Sequence, residues 1–386
     1  MEFRVYSRYP VTFVKGRGMY LWDSAGKKYL DFLAGIAVVS LGHCHPALVK
    51  ALKKQASLLW HTSNLFEIPP QKRLAELLSE LFERATGKKG YVFFSNSGAE
   101  AVEAALKFVR KWGNLNGKRK VVSFRRSFHG RTLGSLSLTG QDKYRKPFSP
   151  LVDWVEVCDA SCVFEKVDGG DVAAVFLEPI QGEGGVIPFD KSFMKDLREL
   201  TRKRNTLMVL DEVQTGVGRT GRFFAFEHYG VIPDVVTLAK GLGGGFPIGA
   251  TIFSQELASL ASPSDHGSTF GGNYLATAVA CEVVKIVSEE PFLDRVRKVG
   301  KILEKTLKEI SGKFSFIRDL RGLGLMWGMG LDENVQVGKV AEKALEEGLI
   351  VGTAGGNTLR FVPPLIVEQK HIDEMRDRLV RVLEKF

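Results

Sequence analysis

From about residue 70 onward, short apolar runs alternate with longer stretches of helical spacing, and no other feature narrows the fold of this 386-residue chain as much. The segment YVFFSNSGAEAVEAALKFVRKW reads as a strand, a turn of small residues and a helix. Its apolar positions are Ala101, Ala104, Ala105, Phe108 and Val109. Further strand-like runs fall at Lys120–Phe124, Val172–Leu177, Leu207–Leu210 and Val235–Leu238. Strands separated by crossover helices build a mainly parallel sheet buried on both faces, so the expected class is α/β.

The two ends of the chain read differently. Val11–Val14, a turn at Lys15–Gly18 and Met19–Trp22 suggest a hairpin, and a second turn at Asp23–Gly26 leads to Lys28–Asp31. The last hundred residues hold long amphipathic helices, Phe292–Ile310 and His371–Phe386, around short strands at Gly328–Gly330 and Thr358–Phe361. The expected organisation is an N-terminal segment, 1–45, that joins a smaller α+β domain at 286–386, with a large domain at 46–285. No repeat, low-complexity tract or long linker separates these parts, so they are expected to interweave.

Composition removes several classes of function. Lys and Arg outnumber Asp and Glu by 54 to 44, a formal charge of +10, but the excess is spread along the chain. Clusters such as Lys118–Lys120 and Arg125-Arg126 fit solvated faces better than a nucleic-acid groove, and a mild basic field attracts anionic small molecules. Four cysteines, with no C-x-x-C pair, fit a reducing cytosol rather than a disulfide scaffold. The N-terminal MEFRVYSRYP has no apolar core, and no run approaches the ~18 apolar residues a membrane helix needs. Neither export nor membrane spanning is expected. His43, Cys44 and His45 in LGHCHP lack the further ligands of a tetrahedral zinc site, so this stretch reads as a loop before a helix starting near Pro46, and no metal is expected.

In a mainly parallel sheet, ligands bind beyond the carboxyl ends of the strands. Polar residues gather there repeatedly, at Ser95–Ala99, Phe128–Arg131, Glu178–Gly184, Asp211–Gln214 and Lys240. The turn Ser95–Glu100 offers free N–H groups at a helix N-terminus, which suits a phosphate, although Ser97 as a plain helix cap reads equally well. Asp211 ends an apolar strand, where a carboxylate needs a cation or a strong donor. Either an ion pair with an arginine such as Arg219 or a protonated ring nitrogen on a cofactor would serve. Lys240 stands between VVTLA and GLGGG, as a phosphate clamp or as a desolvated nucleophile toward an aldehyde. The spacing of a P-loop is absent. Phosphate cup, buried aspartate and lysine nucleophile together match one cofactor, pyridoxal 5′-phosphate.

At these residues the chain resembles the class III (ω-type) aminotransferases. KGRGMYLWDSAGKKYLDF, LGHCHP, FFSNSGAEAVEAALK, FHGRT, EPIQGEGG, LDEVQTGVGRTG, LAKGLGGGFPIGA and LRFVPPL stand in that family's order across nearly the whole sequence. The resemblance implies the aspartate-aminotransferase fold (fold type I), with a mainly parallel seven-stranded sheet in the large domain. By the same resemblance Lys240 would condense with the cofactor aldehyde and shuttle the proton, and Asp211 would pair with the ring nitrogen. Ser97, Gly98 and Ala99 would bind phosphate, Phe128 would stack on the ring, and Gln214, after Val213, would lie near the ring hydroxyl. Thr269 would reach the phosphate of a neighbouring subunit, with Ser268 beside the substrate, so a homodimer with shared active sites is implied.

The same resemblance bears on the substrate. Glutamate carries a carboxylate beside its reacting carbon, whereas an ω-amine donor presents a plain CH2 there. A cation that serves glutamate must therefore be masked for the other donor, and Arg360 with Glu183 would form that switch. A simple salt bridge would look the same at rest. Arg131 would hold the distant carboxylate of both substrates by a bidentate fork. AGIAVVSLGHCHP is most similar to acetylornithine aminotransferases, and Ile36 stands where ornithine aminotransferases tend to carry tyrosine. The implied reaction moves the δ-amine of N2-acetylornithine to 2-oxoglutarate, giving N-acetylglutamate 5-semialdehyde and glutamate, as in arginine biosynthesis. Succinylornithine, ornithine, 4-aminobutyrate or acetyl-lysine as donor, or an aminomutase on the same fold, are the alternatives.

Overall fold

The computed structural model describes residues 3–386. Its centre is a seven-stranded sheet in the order Gly90–Ser95, Gly249–Ser254, Val235–Leu238, Leu207–Asp211, Val172–Leu177, Lys120–Phe124 and Val155–Cys158. Only Gly249–Ser254 runs against its neighbours; the other six strands share one direction. Val172–Leu177 and Leu207–Asp211 are buried along their whole length, as strands covered on both faces must be. On one face the helix Gly98–Leu115 packs Val102, Leu106, Val109 and Trp112 against Val121, Val209, Val235 and Phe253.

Sharing a direction places the carboxyl ends of those six strands on one edge. Asn96, Arg125, Glu178, Glu212 and Ala239 each follow immediately after one of them. The antiparallel strand starts at that same edge, because Gly249 pairs with Ser95. The loop Gly245–Ile248 therefore closes over the place where the others end.

Two smaller sheets flank this core. Phe13–Arg17, Tyr20–Asp23 and Lys28–Asp31 form an antiparallel meander, and Leu349–Ile350 adds to it in parallel, which ties the beginning of the chain to its end. Ile317–Leu323, Met326–Leu331, Thr358–Phe361 and Gly352–Ala354 make the second, beside the helices Glu290–Ser311 and Gln369–Leu383. The first hairpin differs from the expected one. The strand continues through Lys15 and Gly16, which pair with Trp22 and Leu21, and the reversal falls at Gly18-Met19. Gly18 has φ +58°, and its N–H and C=O both pair with His43, so the backbone there is already committed to the turn.

Candidate active site

A cleft of about 430 Å3 opens at the carboxyl edge of the large sheet. Ser97, Gly98, Ala99, Phe128, Arg131, Asp211, Val213, Gln214 and Lys240 all line it. The fold thus brings these nine residues, each singled out in the sequence, to one cleft. Glu183, Arg360, Ser268 and Thr269 stand outside that lining.

The helix Gly98–Leu115 aims its N-terminus into the cleft. Ser97 is its cap, and its Oγ accepts from the Glu100 N–H at 3.2 Å. Capping leaves the Gly98 and Ala99 N–H groups without helical acceptors, so the two readings of this turn are compatible. A side chain at Gly98 would meet Val213 Cγ1 at 2.9 Å, which keeps this helix end close against the Asp211 loop.

Asp211 is buried and fully engaged. His129 Nδ1 lies 2.8 Å from Oδ2, while Oδ1 accepts from the Val213 N–H at 3.0 Å and from Thr237 Oγ1 at 3.1 Å. Arg219 is not its partner. That guanidinium donates to the carbonyls of Leu325 and Pro363, and burial lowers its pKa to about 9. Burial also opposes charge on His129, but the hydrogen bond and charge of Asp211, with Glu178 nearby, outweigh it and raise the imidazole above its ordinary range. His129 Nε2 is buried without a partner.

Glu178 is a second buried acid on the cleft wall. It accepts from the Phe128 N–H at 3.0 Å and the Gly182 N–H at 3.1 Å, and so braces the Phe128 loop against the segment carrying Glu183. Burial raises its pKa to about 7, with His129 and the two N–H groups opposing and Asp211 adding to the rise. The signal that selected Asp211, a carboxylate directly after an apolar strand, marks Glu178 after Val172–Leu177 equally well. His129 gave a weaker signal, one ring between two singled-out residues in FHGRT.

Lys240 follows the strand Val235–Leu238, whose Thr237 pairs with Asp211. Its φ is +42°, a left-handed backbone that costs a non-glycine residue about 1–3 kcal/mol and collects at functional sites. Burial depresses its amine pKa; Glu183, Asp211 and Glu178 oppose the shift and Arg360 reinforces it. More of the amine is therefore in the free-base form. Ser40 Oγ donates to the Gly241 carbonyl at 2.9 Å and fastens the lysine loop to the N-terminal segment.

Arg360, on the strand Thr358–Phe361, is buried and its NH1 lies 2.5 Å from Glu183 Oε1. Gln214 joins this pair, accepting from Arg360 at 3.3 Å and donating to Glu183 at 3.4 Å. Burial disfavours the Glu183 carboxylate, but Arg360 more than compensates and its pKa falls. The ion pair thus reaches the cleft through Gln214. Arg131 is exposed at the cleft, its guanidinium 4.0 Å above the Tyr144 ring and 5.4 Å from that of Phe128. Tyr144 was not singled out from the sequence. Ser268 Oγ accepts from Asn96 Nδ2 at 3.2 Å, beside the helix cap, whereas Thr269 lies exposed. His43 Nε2 is 2.7 Å from Asp31 Oδ2, in a loop that ends at the helix Pro46–Ala56.

A helix N-terminus, a buried acid and a lysine whose amine is less basic than usual, all on one cleft, fit a phosphorylated pyridine aldehyde: N–H donors for the dianion, a carboxylate for a ring N–H, an amine for the carbonyl. Fold and cleft together define a pyridoxal-phosphate-dependent enzyme. The family model for "Aminotransferase class-III" matches residues 4–383. An acetylornithine aminotransferase from Caldanaerobacter subterraneus subsp. tengcongensis is 48% identical, over 98% of this chain and 96% of that one. Among solved structures, N-acetylornithine aminotransferase from Stenotrophomonas maltophilia aligns with TM-score 0.86 and 39% identity, over 98% and 97% of the two chains. The ornithine aminotransferase of Toxoplasma gondii, described with partial occupancy of PLP at its active site, aligns with TM-score 0.93 and 34% identity, over 99% and 91%. This chain belongs to the class-III aminotransferases.

Proposed function

We propose that the chain transfers the δ-amino group of N2-acetyl-L-ornithine to 2-oxoglutarate, yielding N-acetyl-L-glutamate 5-semialdehyde and L-glutamate. The observation that carries this reading is the ion pair of buried Arg360 with half-buried Glu183, linked by Gln214 to the cleft that holds Lys240 and Asp211. When bound, pyridoxal phosphate supplies an aldehyde that takes up the donor's amine and a ring that withdraws electrons from the reacting carbon. Gly98 and Ala99, with Ser97, would hold its phosphate, Asp211 its ring nitrogen, and Phe128, Val213 and Gln214 the ring.

The chain's own residues do the rest. Lys240 Nζ takes a proton from the reacting carbon and returns it on the other side of the transfer. Arg131 grips the carboxylate remote from the reacting amine. Arg360 stays masked by Glu183 for acetylornithine and is released for the carboxylate beside glutamate's amine. Ser268 adjoins the substrate from beside Asn96.

We further infer a cytoplasmic homodimer, with Thr269 serving the partner's site and the chain divided at about residues 45 and 285. Leu65, Phe66 and Phe270 are exposed, Phe270 directly follows Thr269, and Asn64, next to Leu65, donates to the Ser268 and Gly271 carbonyls, so the two segments are joined. No helix among the described residues is long and apolar enough to cross a membrane.

Two measurements test the reading. Borohydride reduction followed by peptide mapping should label Lys240, and a label elsewhere would remove the assignment. A donor panel with 2-oxoglutarate (acetylornithine, succinylornithine, ornithine, 4-aminobutyrate, acetyl-lysine) should rank acetylornithine first by kcat/KM.

A further inference from the structure

A second cavity, of about 740 Å3, shares no lining residue with the active-site cleft. Its walls come from three parts of the chain: Arg126 with Gly140–Lys143, Gly184 and Ile187, and the small-sheet residues Arg318, Asp319, Arg321, Gly330, Gly355 and Gly356. Its charges do not balance. Asp319 pairs with Arg321, Asp142 with Lys146 at 3.1 Å, and Arg318 with Asp332 at 3.2 Å. Arg126 and Lys143 have no acidic partner among the described residues; Lys143 only overlies the Tyr144 ring, at 4.7 Å. Arg126 also holds φ +67°, a conformation disfavoured for arginine, fixed by its N–H donating to the Gly140 carbonyl at 2.9 Å.

We propose that this cavity is a second binding site for a small dicarboxylate, held by Arg126 and Lys143 on its lining. Both cations are exposed and water solvates them, but two unpaired cations on one cavity suit a dianion, and the arginine fork suits a carboxylate bidentately. The cavity admits an organic dianion as well as phosphate, and competition between the two ligands decides which it takes. The site does not depend on the aminotransferase reading, because no residue of the cleft contributes to it.

Titrating the holoenzyme with glutarate, in a buffer free of multivalent anions, separates the two sites. Calorimetry counts every bound glutarate, whereas the cofactor's absorbance responds to the active site. The expected result is two glutarates per chain by calorimetry. R126Q/K143Q should weaken the absorbance-silent site at least tenfold and leave transamination within twofold of the parent. A single site by calorimetry that coincides with the absorbance response, or a silent site unaffected by R126Q/K143Q, would overturn the proposal. Inorganic phosphate competing for the silent site as tightly as glutarate would overturn its assignment to a dicarboxylate. Loss of the absorbance response alone would count against the cleft's function and leave this site standing.

Discussion

His129 Nδ1 sits 2.8 Å from Asp211 Oδ2, and both side chains are shielded from solvent. Asp211 is thereby held from behind, with Thr237 and the Val213 N–H fixing its other oxygen. His129→Gln removes a charge-assisted hydrogen bond of about 1.5–3 kcal/mol. Cofactor affinity should drop roughly tenfold to a hundredfold, with kcat falling as well. Equilibrium dialysis of pyridoxal phosphate checks this, and unchanged affinity would mean that His129 only packs.

Glu183→Gln should separate the two substrates. Arg360 would keep its position on the strand Thr358–Phe361 but lose its counter-ion. Single-turnover reaction with glutamate should change only a few-fold, because that substrate brings its own carboxylate to Arg360. Reaction with acetylornithine should slow by about 10- to 100-fold, corresponding to roughly 1.4–2.7 kcal/mol in the barrier. Equal losses for both donors would reduce the pair to a structural salt bridge.

The strands legible in the sequence are those whose both faces are covered. Val172–Leu177 and Val235–Leu238 carry unbroken apolar or β-branched runs, Lys120–Phe124 is interrupted only by Lys120 and the buried Ser123, and all three stand where periodicity places them. Val155–Cys158 escaped notice because it is an edge strand: Glu156 faces outward, paired with Lys120 and Lys166, and interrupts the apolar signal. Gly249–Ser254 escaped for a different reason. Its buried Thr251 looks polar in sequence but satisfies its hydroxyl on the Ala101 carbonyl at 2.8 Å. The site residues were legible through strand ends and the family motifs. Tyr144 depends on a loop folding back under Arg131, which no local pattern encodes.

Stability should fall as the solution is made alkaline. Glu178 and Glu212 titrate in the fold near pH 7 and 8, both raised chiefly by burial, whereas an unfolded glutamate titrates at about 4.3. The native state therefore holds protons that the unfolded chain has released. Their stabilisation is complete below about pH 4 and is lost as pH rises through 7 and 8. His129, also raised, acts in the same direction. Glu212 accepts from the Ala225 and Phe226 N–H groups, so Glu212→Gln turns one acceptor into a donor facing an N–H and lowers stability at every pH. The slope is the informative quantity. Denaturation of the cofactor-stripped protein between pH 5 and 8.5 should decline less steeply in the variant, by up to about 1.4 kcal/mol per pH unit. Parallel curves would show that Glu212 does not titrate there.

Ile36 belongs to a turn of the wrong hand. Ala34, Gly35, Ile36 and Ala37 all have positive φ, and the turn is closed by the Val38 and Val39 N–H groups on the Ala34 carbonyl. Each L-residue in such a turn costs about 1–2 kcal/mol, and a β-branched one is disfavoured further. Asp31 holds the strain in place, accepting from the Leu33 and Ala34 N–H groups at 2.8 Å each. Two residues on, Val38 lines the cleft. A strained apolar residue next to a binding surface implies that its side chain serves the ligand rather than the fold. Ile36→Asn, which tolerates this backbone, should raise the unfolding free energy by about 1 kcal/mol. The same change should lower kcat/KM for acetylornithine several-fold more than for ornithine, because it puts a polar group where an acylated amine needs none. A drop in stability would mean that Ile36 supports the turn, and unchanged donor preference would place acyl recognition elsewhere in the cleft.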